Sequence, residues 1–311
     1  MFPYIGGKSS HVKWLDPLFP DSGMTKFVEV FGGAGWIGIK SQRILQATTR
    51  VYNDFNPFIA NIHECFRTKN VELLAKLESY PKSDKPLYLQ FQREIFGQQH
   101  NVVLGDVELA AKYLYLQTQI FSGTTLGLEN ACYFCDTASN GKYASKYDAI
   151  KNKLRQQKYI DRLNAVSVVE NMDCIDVIKK YDSPETFFYV DPPYFKKEYL
   201  YTTEFPREKH EELADTLKAA KGKWCLSYYD FPELEEWYPK DQYHWHSQDV
   251  FRWSSTRAYK SETYKKDSRG TEIGVMNYTP PSTPVVIPKP KKAKKTPPVT
   301  TFGTLFTENW Q

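Results

Sequence analysis

Phe187-Phe188-Tyr189-Val190-Asp191-Pro192-Pro193-Tyr194 is the stretch that decides the fold. Its first four residues are apolar and read as a buried strand. The acid and the two prolines cannot continue it, because proline has no N–H to give to a ladder. The strand therefore ends in a rigid turn carrying a carboxylate at Asp191, a carbonyl at Pro192 and an aromatic face at Tyr194. In open α/β sheets, ligands bind at the carboxyl ends of strands. Both oxygen groups can accept hydrogen bonds from an exocyclic amine, and the ring can stack on a base. That combination suits an adenine amino group taken out of a duplex. Taken alone, the octapeptide is equally a proline-stiffened strand end.

A second motif upstream tips the balance. Phe27-Val28-Glu29-Val30-Phe31 is a short strand with an acid inside it, followed by Gly32-Gly33-Ala34-Gly35 and the helix-like Trp36-Ile37-Gly38-Ile39-Lys40. Glycines after a strand let a ligand approach the backbone closely. A glycine loop could equally cradle phosphates, but this one lacks the Lys-Ser/Thr ending of a phosphate-binding loop and the spacing of the dinucleotide fingerprint. Val51-Tyr52-Asn53-Asp54 then reads as a strand ending in an acid, about 20 residues past the glycines, where a carboxylate accepts bonds from ribose hydroxyls. Strand, glycines, strand and acid form the nucleoside half of a cofactor site. No phosphate ligand is needed if the cofactor is S-adenosylmethionine.

These motifs, in this order, resemble the Dam-like, alpha-group DNA adenine-N6 methyltransferases. The matching pieces are Pro3-Tyr4-Ile5-Gly6-Gly7-Lys8, Phe31-Gly32-Gly33-Ala34-Gly35, Asn53-Asp54, Asp191-Pro192-Pro193-Tyr194, Leu226-Ser227-Tyr228-Tyr229-Asp230 and Glu272-Ile273-Gly274-Val275-Met276-Asn277-Tyr278. Ile5 replaces the alanine usual in the family's opening motif. The resemblance covers residues 1 to about 279 and is specific at the motifs. It implies a Rossmann-like methyltransferase sheet with an inserted, mostly helical target-recognition domain. It also implies a set of cofactor contacts: Tyr4 and Lys8 beside S-adenosylmethionine, Asp54 on its ribose and Asp173 near its adenine. Glu29, Phe31, Gly32, Gly33, Gly35 and Asp191 complete that set. Asp191, Pro192, Pro193 and Tyr194 would be the catalytic group, and no metal is expected. Cytosine-N4 enzymes more often carry Ser at the Asp191 position, and RNA adenine or glutamine-amide methylases carry Asn. A non-catalytic DNA-binding relative would be expected to lose the motifs, which are intact here. A restriction subunit would need a nuclease region, and none is evident.

Expected boundaries follow from the pattern. Residues 1–66 and 166–279 alternate strand and helix and would form a discontinuous catalytic domain with a mostly parallel sheet. Residues 67–165 break the alternation and would form the recognition domain. Its turn-rich stretch includes Ser139-Asn140-Gly141-Lys142, a tight-turn signal. Residues 142–162 hold seven basic side chains against Asp148 and Asp161. Beside a nucleotide-type motif, this segment reads as a phosphate-contacting face. Ser139, Asn140, Lys142, Lys146, Lys151, Lys153 and Arg155 are the candidate contacts to double-stranded DNA.

The formal net charge is +4. The tail from Pro280 carries all of it, with five lysines against Glu308 in a proline-rich context expected to be disordered. The tail ends in an apolar cluster, Phe302 to Phe306, that reads as a docking peptide or as packing on its own domain. Five cysteines fit a reducing compartment. The lone Cys132-Tyr133-Phe134-Cys135 lacks the further ligands a zinc site needs. No apolar stretch reaches membrane-spanning length, and the start lacks a signal peptide's apolar core. A cytoplasmic monomer is the expectation.

Overall fold

The computed structural model describes residues 2–4, 6–96, 101–120, 134, 146–196, 205–251 and 269–281. Residues up to Pro281 form one compact unit. The recognition-loop residues Ser139, Asn140 and Lys142, the Cys132/Cys135 pair and the tail from 282 lie outside the described residues.

A seven-stranded sheet runs β3-β2-β1-β4-β5-β7-β6. Its strands are β1 (Lys26–Glu29), β2 (Thr49–Asn53), β3 (Val168–Glu170), β4 (Thr186–Val190), β5 (Lys223–Tyr229), β6 (His244–Phe251) and β7 (Arg269–Met276). β1 to β5 pair in parallel. β7 lies antiparallel between β5 and β6. This is the expected Rossmann-like sheet, mostly parallel with an antiparallel hairpin on one side. β3 starts at Val168 and not earlier, because the Val166 N–H is taken by Leu163 O at the end of the preceding helix.

Alternation along each strand sorts the core into layers. Val28, Val51, Phe188, Val190, Trp224 and Leu226 pack on one face with α9 (Cys174–Tyr181), α10 (Arg207–Ala219) and α11 (Pro232–Trp237). Phe27, Phe187, Tyr189 and Cys225 face the other way, against α1 (Val12–Leu15), Phe19 and Ile37 of α2 (Trp36–Lys40). A strand apolar on both faces is what a fully covered parallel sheet requires, and β4 is buried at all five positions.

A run of helices lies between β2 and β3: α3 (Pro57–Thr68), α4 (Asn70–Glu78), α5 (Lys85–Phe96), α6 (Val107–Gln119), α7 (Lys146–Leu154) and α8 (Gln157–Asn164). α3 starts cleanly because the Asn56 side chain accepts from Phe58 and Ile59 N–H and Pro57 sits in the first turn. These helices share one apolar cluster with Tyr52 of β2 and Val169 of β3. The helices thus pack continuously onto the sheet edge.

Tyr52 also fixes the glycine turn. Its hydroxyl donates to Gly33 O at 2.6 Å, and its ring stacks on His63 of α3 with centroids 3.8 Å apart. A Cβ on Gly32 would sit 2.2 Å from that ring. Gly32→Ala should therefore destabilise the protein by about 1–3 kcal/mol, the scale of overpacking. Denaturant unfolding checks this, and an unchanged midpoint would show that the ring can yield.

Candidate active site

The strand order reverses between β1 and β4, and a crevice opens at such a switch point. A cavity of about 250 Å³ lies there. Tyr4, Lys8, Glu29, Phe31, Gly32, Gly33, Asp54, Asp173, Asp191 and Pro193 line it. Of the expected cofactor set only Gly35 is absent from the wall. Gly35 has φ +67°, and a Cβ there would meet the His63 ring at 2.5 Å, so it serves the turn and the packing behind it. Pro192 and Tyr194 are not part of the lining either. Asn56, Cys174, Phe205, Pro206 and Lys209 add wall residues that no motif had marked. The last three come from the start of α10 and the residues before it, which share no spacing with the glycine motif.

Each carboxylate is held by its local backbone. Asp54 Oδ2 accepts from Gly33 N–H at 2.7 Å, and its Oδ1 accepts from Asn56 N–H at 2.9 Å. Asn53 beside it donates to Val30 O and Met172 O and accepts from Met172 N–H, tying three strand ends together. Asp173 caps α9 through Ile175 N–H and pairs with Lys209 at 3.0 Å. Glu29 Oε2 accepts from Gly38 N–H at 3.2 Å. Burial pushes the Glu29 carboxyl up to about 8, against the opposing pull of that N–H. Burial likewise lifts Asp54 to about 6, opposed by its two N–H donors.

The glycine turn offers no amide cradle. Gly32 N–H goes to Asn53 O at 2.8 Å, Gly33 N–H to Asp54, and Gly35 N–H to Gly32 O at 2.8 Å. A turn whose amides are already spent does not wrap a phosphate, whereas acids and aromatic walls suit a nucleoside.

At the end of β4 lies a buried charge cluster. Lys8 Nζ is 3.0 Å from Asp191 Oδ1 and 3.9 Å from Glu272 Oε2. It donates to the Tyr194 hydroxyl at 2.6 Å, and that hydroxyl donates to Glu272 Oε2 at 2.5 Å. Burial alone would lower the Lys8 pKa, but Asp191 and Glu272 overcome it and raise it. Burial also lifts Asp191 to about 6, with Lys8 pulling the other way. At neutral pH the pair is ionised on both sides. The Tyr194 ring stacks on Tyr228 at 5.4 Å.

The basic segment is more occupied than its sequence implies. Arg155 pairs with Glu78, and Lys151 lies 3.7 Å from Asp148 and over the Tyr147 ring. Lys146 donates to Ile120 O at 2.5 Å. Lys153 stands 4.8 Å from the Trp36 ring, and burial, with Lys40 nearby, lowers its pKa. Among the described residues no cluster of three or more His, Cys, Asp or Glu is arranged for a metal ion, and no helix is long and apolar enough to cross a membrane.

A Rossmann-like sheet with a nucleoside-type cavity opening beside an Asp-Pro-Pro-Tyr turn defines a methyltransferase class. The family profile described as D12 class N6 adenine-specific DNA methyltransferase matches residues 4–253. The chain belongs to that family, so it is an enzyme of adenine-N6 methylation in DNA, using a methyl donor. Among solved structures, a Haemophilus influenzae protein given the provisional name of a methylase is similar over 89% of this chain and 91% of its own. Identity there is 10% and the TM-score 0.32. No curated protein matches the chain.

The elevated carboxyls set an expected pH dependence. As an acceptor for an amine Asp191 would be stronger when ionised, and below about 6 it is protonated. The kcat/KM for DNA should fall as pH drops through about 6. A pH–rate series with its acid limb near the ordinary carboxylate range, about 4, would contradict this assignment.

Proposed function

We propose that this enzyme uses S-adenosylmethionine to methylate the N6 amino group of an adenine turned out of double-stranded DNA. It would work as a monomer in the cytosol. The observation that carries the reading is the placement of Asp191 on the wall it shares with Glu29, Gly33 and Asp54. Acceptor and nucleoside site thus open into one cavity.

The residues fit the cofactor without any phosphate ligand. Asp54 would hold ribose hydroxyls. Asp173 would accept from the adenine amino group, and Phe31 and Phe205, in edge contact at 5.7 Å, would flank the ring. Bound there, the sulfonium supplies an electrophilic methyl group. The Pro192 carbonyl and the Asp191 oxygen turned from Lys8 accept the two amino hydrogens of the target base. That draws the nitrogen lone pair out of conjugation and aims it. Tyr194 stacks on the extruded base. No covalent enzyme intermediate is needed. Lys146, Lys151, Lys153 and Arg155 would reach phosphates only by exchanging their present partners, with Ser139, Asn140 and Lys142 reading or flanking the target.

Purified protein with S-adenosylmethionine should yield N6-methyladenine in mixed-sequence DNA, and Asp191→Ala should abolish turnover while the fold persists. N4-methylcytosine as the sole product, or no product, would overturn the reading. Asp54→Ala should weaken cofactor binding by about 1–3 kcal/mol, whereas Tyr194→Ala should chiefly impair engagement of the target base. Calorimetry separates the two, and equal cofactor loss in both would contradict the division.

A cation entering the cavity should also move a proton. Glu29, with its carboxyl pushed up to about 8, is mostly protonated at pH 7. A neighbouring positive charge favours the carboxylate. Cofactor binding at pH 7 should therefore release a proton, and the release should fade above pH 9. Calorimetry in buffers of different ionisation enthalpy measures it. No buffer dependence at pH 7, or an undiminished release in Glu29→Gln, would overturn the assignment.

A further inference from the structure

Glu272 comes from β7, far along the chain from the catalytic turn. Its side chain is only 11% exposed. Oε2 accepts the Tyr194 hydroxyl proton at 2.5 Å and lies 3.9 Å from Lys8 Nζ. The same Lys8 ammonium donates to the Tyr194 oxygen at 2.6 Å and pairs with Asp191 at 3.0 Å. The Tyr194 phenol is thus gripped on both sides, its proton by Glu272 and its oxygen by Lys8. Two carboxylates share one ammonium, so the charge that orients Asp191 depends on where Glu272 stands. A ring that only needed to be flat and apolar for stacking would require no buried anion on its hydroxyl. Burying an anion there is costly unless it is paired.

We propose that Glu272 is a positioning residue. It fixes the Tyr194 ring for the incoming base and sets how Lys8 divides its contact between Tyr194 and Asp191. This rests on the function proposed above. Glu272 does not line the cofactor cavity, so its loss should leave cofactor binding in place while slowing transfer. The strand also holds it in register. Glu272 pairs with Tyr229 of β5 and with Gln248 of β6, so β7 delivers the carboxylate to a fixed point beside the catalytic turn.

The test combines single-turnover methyl transfer, calorimetric cofactor affinity and unfolding of the cofactor-free protein. Glu272→Ala and Tyr194→Phe should each slow transfer at least tenfold, with cofactor Kd within about threefold of wild type. Their combination should be no slower than the worse single variant, as expected for two ends of one contact. Glu272→Gln keeps an acceptor for the hydroxyl and should recover part of the lost rate. In cofactor-free protein, the unfolding midpoint of the Glu272→Gln, Tyr194→Phe double variant should drop by less than the sum of the single drops. An active wild type with Glu272→Ala unimpaired, fully additive effects, or a rate loss explained by weaker cofactor binding would overturn this inference alone. A wild type that transfers no methyl group to DNA would overturn the proposed function and the inference with it.

Discussion

The buried ammonium of Lys8 is the interaction on which the site depends. It sits between Asp191 and Glu272 and touches the Tyr194 hydroxyl. Removing one partner from a buried ion pair costs about 3–5 kcal/mol, because the remaining charge is stranded away from water. The first and last residues of the Asp-Pro-Pro-Tyr turn therefore share one fixed charge. The geometry of the turn follows from a residue near the start of the chain as much as from its own two prolines.

The cofactor side follows a similar logic with backbone donors in place of a lysine. Gly33 and Asn56 N–H hold Asp54, and Gly38 N–H holds Glu29. The glycine turn is shaped by Tyr52 and His63 pressing from behind. Its missing side chains make room for protein, while its amides close on neighbouring acceptors. Gly32 and Gly33 thereby form part of the cavity wall with no free amide to wrap a phosphate.

Much of the fold was legible because its signals are local. The apolar run to Val190 ended by prolines and the strands before Gly32 and Asp54 depend only on neighbours in sequence. The same holds for the site residues on strand ends: Glu29, Asp54, Asp173 and Asp191 all reach the cavity. What stayed hidden depends on distant contacts. Glu272 opens a motif that resembles the family, but its place beside Tyr194 comes only from the pairing of β7 with β5. Gly35 looked like a ligand contact, but its neighbour is the His63 ring. The charge count of residues 142–162 includes Asp148, which pairs with Lys151 and Lys82, but not Glu78, which only the fold lays against Arg155.

The long sequence separations in the charge cluster have a consequence for biosynthesis. Lys8 and Tyr194 are 186 residues apart, and Tyr194 and Glu272 a further 78. β7 enters the sheet between β5 and β6, so the hairpin that carries Glu272 cannot close before the ribosome has passed Met276. Contacts of such range are slow to form, since the intervening chain must be ordered first. A nascent chain can therefore complete its parallel strands and the cavity beside them while the Asp-Pro-Pro-Tyr turn still lacks Glu272. Competence to modify DNA would then arrive as a late, single event in the life of each molecule, after the body of the protein has already folded.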